Sequence, residues 1–438
     1  MANAPSDRIR SPLPPYAGVT DAERTGLPVV ECARRLGRFG FVARQLVFVQ
    51  AAHMPAVGEW EFKALIGRHL WEHAVHWGGY RERVLELRGH LYLIDDLAES
   101  KLGDFFGELL YSRSSLELAI GLYEVVLPAY LDALERYVAE TNPLVDQPTV
   151  RLLRHVRLDL EEQLELGHQV LSALRAQGGP VSGEAPEATE DAWRRHLSAY
   201  LAAAGGIDGT GPETPSFDLP APRNDGDFRI TQSFARDARF RTTVPKVNPF
   251  NDSDTRDQLL AKMWVRSQEM TAAELCATVL FEWEDLPYEG VLALARHCWD
   301  EVRHSLFGQA ALEAEGYPLT DLPSWVGYAG HTMPFPPPVR YSHLAIATEA
   351  GAMRYPGGKR GEWEWCRDKA QHPLMTTYQD FDWADEVNHV QFGREWLVQY
   401  HCRGDRAKAQ AMADETVRRR KEFYARYEAR DDRAHHGY

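Results

Sequence analysis

Apolar residues recur along most of the chain at the three- and four-residue spacing that places them on one face of an α-helix. The segments with this spacing lie at 29–53, 61–89, 115–138, 150–176, 257–285, 288–316, 340–354 and 372–401. Four long helices in each half is the helix count of a four-helix bundle. The pattern therefore predicts an all-α chain of two tandem four-helix bundles, followed by a C-terminal helix.

A segment rich in Gly, Pro and Asp at 202–227 has no apolar period and separates the two halves. The residues before it indicate a loop and one short helix. The predicted boundaries are an N-terminal tail at 1–27, a first bundle at 28–178, a linker with a short helix at 179–256, a second bundle at 257–403 and a charged C-terminal helix at 404–438.

The two halves resemble each other over short stretches. "RHLWEHAVHWGGY" at 68–80 aligns with "RHCWDEVRHSLFG" at 296–308, which places His76 opposite His304. "ELGHQV" at 165–170 aligns with "EVNHVQ" at 386–391. A duplicated bundle is the simplest explanation of these matches.

The second half carries a repeated pentapeptide, "DEVRH" at 300–304 and "DEVNH" at 385–389. Each contains Glu-x-x-His, which places a carboxylate and an imidazole one helical turn apart on the same face. Both side chains can then bind one metal ion. The motif is weak alone, but two copies on separate predicted helices indicate one shared metal site.

The helix before each motif should supply one further glutamate. On the first of these helices the choice lies among Glu274, Glu282 and Glu284. If the turn falls near Pro287, Glu301 follows it by about 14 residues, and an antiparallel partner at equal height precedes it by about as many. This counting favours Glu274. On the other helix, Glu349 is the one acidic residue of an apolar segment, where burial would be costly unless it binds a metal.

Six metal ligands and catalytic residues are thus predicted: Glu274, Glu301, His304, Glu349, Glu386 and His389. Four carboxylates balance the charge of two divalent metals. Asp300 and Asp385 are expected to orient the histidines, each accepting a hydrogen bond from the histidine of the other motif.

Composition narrows the functional classes. The net charge of −15 disfavours nucleic acid as a partner. Five scattered cysteines without paired spacing indicate reduced thiols and no disulfide framework. The sequence contains no uninterrupted apolar stretch of about 20 residues, so no membrane-spanning helix is expected. The N-terminus has no apolar signal region. A cytoplasmic protein without a membrane partner is expected.

The stretches "ELCATVLFEWEDLP", "DEVRHSLFGQAALEAEGY" and "DEVNHVQFGREWL" resemble the ferritin-like di-iron carboxylate superfamily. The repeated motif is similar to the Asp-Glu-x-Arg-His repeats of bacterial multicomponent monooxygenases. The segments are closer to a largely uncharacterised bacterial family of ferritin-like proteins, in which the helix glutamates match Glu274 and Glu349. The resemblance covers about residues 257–400 and concerns the metal site, not the substrate.

The first half departs from this pattern, because His73 stands where the second half has Glu301. Val42 falls opposite Glu274, and the third helix offers Tyr123 or Glu124 at best. The first bundle is therefore expected to be a degenerate ferritin-like bundle that serves as a scaffold or pocket wall. A mononuclear metal site is the alternative, with His73, His76, Glu165 and His168 as its ligands.

The resemblance implies an O2-activating non-haem oxygenase or oxidase with two iron ions, or one Mn and one Fe, and O2 as co-substrate. Its substrate would be a small organic molecule, for example one of specialised metabolism, with an external electron donor. A dimer is compatible with the sequence. An iron-handling ferroxidase and a non-catalytic metal-binding scaffold are the alternatives. The set of metal ligands is compatible with hydroxylation, desaturation, N-oxygenation and oxidative cleavage, so it does not identify the reaction.

Overall fold

The computed structural model describes residues 14–177, 186–212, 215, 218–251 and 253–435. The chain is 71% helical and almost devoid of strands in this described part. The prediction of an all-α chain is therefore confirmed at the level of fold class. None of the described helices combines the length and the apolar character needed to cross a bilayer.

The helices of the N-terminal half cover the four predicted apolar segments and include two short helices, at 92–95 and 101–110, that were not predicted. They are α1 (Val29–His53), α2 (Trp60–Glu86), α3 (Tyr92–Asp95), α4 (Lys101–Leu110), α5 (Ser115–Ile120), α6 (Leu127–Glu140), α7 (Gln147–Ala176) and α8 (Pro186–Ala203). A π-helical segment, π1 (Gly121–Val126), joins α5 to α6. Proline occupies the first turn of α7, where a missing N–H costs no hydrogen bond. Pro128 instead lies within the continuous helical run of π1 and α6, where its missing N–H removes a helical hydrogen bond.

The C-terminal half contains nine further α-helices among its described residues. They are α9 (Thr255–Ser267), α10 (Met270–Glu282), α11 (Tyr288–Ala314), α12 (Tyr328–Thr332), α13 (Pro337–Ser342), α14 (Ala350–Ala352), α15 (Lys359–Glu364), α16 (Pro373–Phe392) and α17 (Arg406–His435). Three π-helical segments interrupt them: π2 (His343–Glu349), π3 (Trp365–Lys369) and π4 (Gly393–His401). The strands β1 (Arg241–Thr243) and β2 (Pro323–Trp325) pair in parallel.

The chain divides into two compact units, each built from several stretches of sequence. One unit contains Met1–Val42, His76–Ser112 and Leu116–Pro222, and the other contains Ala43–Val75, Arg113–Ser115 and Arg223–Tyr438. The end of α1 and the start of α2 thus belong to the second unit. The order of residues along the chain could not reveal that this segment belongs to the second unit, because the assignment depends on which apolar faces pack together.

Contacts within the second unit explain why residues 43–75 belong to it. Met54 Sδ lies 3.6 Å from the Cys298 thiol. The side chain of Val302 lies so close to Gly67 that a Cβ at Gly67 would come within 2.7 Å of it. Glycine at this position therefore allows α2 and α11 to pack closely.

A buried chain of hydrogen bonds joins α17 to the rest of the second unit. His343 Nδ1 lies 2.9 Å from Thr416 Oγ1 on α17, and His343 Nε2 lies 3.3 Å from His331 Nε2. His331 Nδ1 lies 3.2 Å from the carbonyl oxygen of Gly327, to which it donates. Burial, His343 and the guanidinium groups of Arg420 and Arg419 lower the pKa of His331 to about 3. Burial and Arg420 lower the pKa of His343 to about 4.

Acid is therefore expected to weaken the fold through these two histidines. Both folded-state pKa values lie below the unfolded value of about 6.5, so the unfolded chain binds more protons as pH falls. The two neutral histidines stabilise the fold fully above the unfolded pKa of about 6.5. This stabilisation is lost progressively as the pH falls towards 4. The pair should lower the free energy of unfolding by about 2–3 kcal/mol between pH 7.5 and 5.5.

Urea unfolding at the two pH values measures this loss. His343→Gln should reduce it by about 1 kcal/mol or more, whereas the exposed His90→Gln should leave it unchanged. An equal loss in wild type and His343→Gln would show that His343 is not responsible.

Candidate metal centre

Four helical segments of the second unit carry the acidic and histidine side chains of the candidate site. Glu269 lies at the break between α9 and α10, and Glu349 ends π2. His297, Glu301 and His304 follow one another on α11 at spacings of four and three, which places all of them on one face. Asp382, Glu386 and His389 repeat this spacing on α16.

The first cluster of this site contains His297, Glu301, Glu349 and His389, whose donor atoms all lie within 4.8 Å of one another. His389 Nδ1 is 3.6 Å from Glu301 Oε1 and 3.7 Å from Glu349 Oε1. His297 Nε2 is 2.8 Å from Glu349 Oε1, and its Nδ1 is 3.0 Å from the Tyr341 hydroxyl. Ligands about 2.0–2.2 Å from a metal stand at most about 4.4 Å apart, so the separations of 2.8, 3.6 and 3.7 Å among these donor atoms fit one ion.

His304 is shared by two further groups of the same kind. Glu269, Glu301 and His304 form one of them, and His304, Asp382 and Glu386 form the other. His304 Nδ1 lies 3.4 Å from Asp382 Oδ1, 3.5 Å from Glu269 Oε2 and 3.8 Å from Glu301 Oε2. A second ion would thus find its donors around His304.

Several carboxylate oxygens and imidazole nitrogens that could bind a metal in these clusters are buried and form no hydrogen bond within the described chain. They are Glu269 Oε2, His304 Nδ1, Glu349 Oε2, Glu386 Oε2 and His389 Nδ1. Burying an unpaired polar atom is costly, so native proteins almost always pair such atoms. All five belong to groups that could hold a metal, and a bound cation would satisfy them.

Glu301 lies between the two histidines that have an unpaired Nδ1. Its Oε1 faces His389 Nδ1 at 3.6 Å and His297 Nε2 at 3.4 Å. Its Oε2 faces His304 Nδ1 at 3.8 Å. One carboxylate therefore presents a separate oxygen to the Nδ1 atom of each of these two histidines.

The electrostatic field of the site favours cations. Burial raises the pKa of Glu269 to about 7, although Arg266 and Lys359 oppose this rise. Burial disfavours protonation of His297, but Glu349 and Glu301 raise its pKa to about 10. The carboxylates that stabilise a proton on His297 will also attract divalent metals.

Two basic side chains offset part of this negative charge. Lys359 Nζ lies 2.8 Å from Asp382 Oδ1 and 2.8 Å from Glu386 Oε1. Arg266 Nη1 lies 2.7 Å from Asp382 Oδ1 and 2.7 Å from Glu269 Oε1. The unpaired Oε2 atoms of Glu269 and Glu386 remain available as metal ligands.

Asp300 and Asp385 lie behind the histidines and contact them across the two motifs. Asp385 Oδ2 is 3.3 Å from His304 Nε2, and Asp300 Oδ2 is 3.4 Å from His389 Nε2. Arg303 donates to both aspartates and Arg296 contacts both. With Nε2 hydrogen-bonded to carboxylate, each histidine presents Nδ1 to the cluster as a lone pair.

Replacement of Asp385 by alanine is expected to weaken metal binding by about 10–100-fold, because His304 loses the carboxylate that fixes its tautomer. The fold should persist, since Asp385 is not part of the apolar core. Metal titration monitored by calorimetry measures the affinity, and thermal unfolding checks the fold. Asp380→Ala, an exposed position on the same helix, is the matched control. Unchanged affinity in Asp385→Ala would contradict a role in holding His304.

The structure does not bring Glu274 into this site, unlike the other five predicted ligands. Glu274 is fully buried and forms ion pairs with Lys63 and Arg236. Its Oε1 and Oε2 accept hydrogen bonds from Arg236 at 2.6 and 3.1 Å. Burial lowers the pKa of Lys63 to about 7, although Glu274 opposes this change. Glu274 therefore neutralises buried cations, and Glu269 takes the place expected for it.

The length of the turn explains why Glu269 and not Glu274 faces Glu301. Helix α10 ends at Glu282 and α11 begins at Tyr288, so 283–287 connect them without adding a helical rise. Glu301 lies 13 residues after Tyr288, and Glu269 lies 13 residues before Glu282 (301 − 288 and 282 − 269). Counting from Pro287 treated the connection as helix and selected a residue more than one turn too close to it.

Sequence reasoning also missed His297 and Asp382. Both stand four residues before a predicted ligand glutamate, Glu301 and Glu386, and therefore lie on the ligand face of α11 and α16. The pattern acid-or-histidine, three residues, Glu, two residues, His occurs in both helices and could have identified them. Lys359 carried no such signal, because its contact with Asp382 depends on tertiary packing.

The first-half residues proposed as a mononuclear site form no group of three metal-compatible side chains in the part of the chain that the structure describes. His73 and His76 lie one turn apart on α2, and His76 Nε2 lies 2.8 Å from Asp159. Glu165 and His168 are exposed. Glu124 pairs with Arg175 and Arg194. All groups that could hold a metal among the described residues belong to the second unit.

Comparison with models of protein families, with curated protein sequences and with solved structures gave no match to this chain.

Proposed function

We propose that the chain is a non-haem di-iron oxidoreductase, an oxygenase or oxidase that uses O2 to oxidise a small organic molecule. Its metal ligands would be Glu269, Glu301, His304, Glu349, Glu386 and His389. Glu269 replaces Glu274 in the set expected from the sequence. One manganese and one iron would fit the same ligands, because oxygen and imidazole donors discriminate weakly between these metals.

The position of Glu301 between two metal-compatible groups is the observation that carries this proposal. A mononuclear site would need one cluster, whereas Glu301 directs one oxygen to His389 and the other to His304. Glu-x-x-His on two helices and a single Glu on each of two other segments is the ligand arrangement of di-iron carboxylate bundles.

Bound iron would supply the reduction of O2 coupled to oxidation of the substrate, with electrons from an external donor. The protein's residues exclude water from the site, since Glu301, Glu349 and Glu386 are at most 3% exposed and His304 and His389 are fully buried. Glu269 is the most open of the six, with 19% of its side chain exposed. Approach of a small molecule is therefore expected on the Glu269 side.

The outer residues keep the ligands in position for this chemistry. Asp300 and Asp385 hold the histidine protons at Nε2, so each Nδ1 is free to bind metal. Tyr341 can accept the Nδ1 proton of His297, which leaves Nε2 of that ring facing Glu301. The apolar core and the ion pairs between these aspartates and arginines thus fix the orientations of the histidine rings. The rings are therefore in position for metal binding.

Anaerobic loading with Fe(II) followed by exposure to O2 tests the proposal. We expect about two iron ions per chain and an optical change whose amplitude scales with bound iron. Glu284→Gln, an exposed carboxylate of the α10–α11 connection, should behave like wild type.

Two alternative functions predict different outcomes in the same experiment. Continued oxidation of added Fe(II), without a second substrate or electron donor, would identify a ferroxidase. Stoichiometric metal that does not react with O2 would identify a metal-binding scaffold, and failure to retain metal would refute the proposed chemistry.

A further inference from the structure

A cleft of about 570 Å³ lies beside the candidate metal centre in the second unit. Gln258, Lys262 and Arg266 form one wall, at spacings of four residues along α9. The facing wall carries Glu362, Trp365 and Gln379, from α15, π3 and α16. The volume is in the range of small-molecule sites.

Arg266 connects this cleft to the metal centre. The residue lines the cleft, yet its guanidinium also contacts Asp382 and Glu269, both at 2.7 Å. Glu269 is also the most exposed of the proposed metal ligands. A molecule in the cleft is therefore separated from the metal-binding carboxylates by one side chain.

The cleft offers one cation with unused donors. Lys262 Nζ lies 3.7 Å from Glu362 Oε1, which is too far for a hydrogen bond, and 5.3 Å from the centre of the Trp365 ring. No acceptor within the described chain takes a hydrogen bond from this ammonium. Its side chain is 29% exposed, so the donors are accessible to a ligand.

The cleft also offers acceptors without donors. Glu362 Oε2 accepts a hydrogen bond from Gln379 Nε2 at 3.1 Å, but Oε1 of the same carboxylate accepts none within the described chain. Gln379 is 1% exposed, and its Oε1 has no hydrogen-bond partner. Buried amide oxygens normally accept a hydrogen bond, so we expect a bound ligand to donate one to this oxygen.

We infer that this cleft binds a zwitterionic α-amino acid, whose carboxylate lies against Lys262 and whose ammonium lies against Glu362. The two protein charges stand 3.7 Å apart, and the ligand charges are separated by a single carbon atom, so the two dipoles can lie antiparallel. The ligand side chain then packs on the Trp365 ring. That this amino acid is the substrate oxidised rests on the proposed function of the metal centre.

Calorimetric titration of the metal-free full-length chain tests the binding inference. The probes are L-phenylalanine, L-leucine and L-glutamine, compared with 2-phenylethylamine and 3-phenylpropionate, which lack the carboxylate and the ammonium of phenylalanine. At least one amino acid should bind. If phenylalanine is that ligand, each half-molecule should bind at least about tenfold more weakly, because one charged hydrogen-bonding group is lost.

Substitution of the charged wall residues supplies the second readout. Lys262→Met and Glu362→Gln should each weaken amino-acid binding at least about tenfold. Lys262→Arg should retain most of it. Lys421→Met, an exposed lysine outside the cleft, is the control. Lys262 is partly exposed, so its variants keep the test valid if Glu362→Gln does not fold.

Three results would overturn the inference: no binding of any amino acid at millimolar concentration, equal binding of phenylalanine and either half-molecule, or unchanged binding in a folded Lys262→Met. Failure of the proposed function has a different signature, because it would appear as absent iron uptake or absent reaction with O2 while amino-acid binding persists.

Discussion

Replacement of Glu301 by glutamine is expected to remove stoichiometric binding of both metals. The amide is neutral and offers a single oxygen, so it cannot present a carboxylate oxygen to His389 and another to His304. The loss of affinity should exceed the roughly 10–100-fold that removal of an outer partner costs. Metal analysis after gel filtration, with circular dichroism as a check of the fold, measures the effect.

Glu284→Gln is the matched control for this experiment, because it is an exposed glutamate near the same helices. It should bind metal as wild type does. Loss of only one metal in Glu301→Gln would show that Glu301 serves one position and does not bridge. Retention of both metals would remove the main support for a dinuclear site.

Replacement of Glu274 by glutamine is expected to destabilise the fold by about 3–5 kcal/mol, since Lys63 and Arg236 would remain buried without their anion. Metal stoichiometry should stay unchanged at temperatures where the variant is folded. Glu269→Gln should show the opposite behaviour. It should weaken metal binding with a small effect on stability, because Arg266 keeps its contact with Asp382.

Urea unfolding and metal titration of the two variants form one matched comparison. If Glu274→Gln lost metal while Glu269→Gln retained it, the ligand first expected from the sequence would be correct and the position of Glu269 would be irrelevant. If both variants kept their stability, the ion pairs of Glu274 would contribute little to the fold.

Helix positions were the part of the structure most accessible from sequence, because a period of 3.6 residues is a local property. The segment 288–316 predicts α11 (Tyr288–Ala314) closely, for example. The grouping of 43–75 with the second unit was not accessible in this way. It depends on contacts such as Gly67 against Val302, for which a single sequence carries no signal.

The candidate site shows the same division between local and tertiary information. Glu301, His304, Glu386 and His389 were visible because Glu-x-x-His is a local pattern on one helix face. The contribution of Glu269 required the length of the connection between α10 and α11. The contacts of Lys359 with Glu386 and of Arg266 with Glu269 required the fold itself.

Anomalous X-ray diffraction from crystals of the iron-loaded protein, recorded at the iron edge, would measure metal number and position together. Two peaks are expected, one among His297, Glu301, Glu349 and His389 and the other beside His304, with the Glu301 carboxylate between them. A single peak, a peak beside Glu274, or no peak in the second unit would contradict a di-iron centre bridged by Glu301.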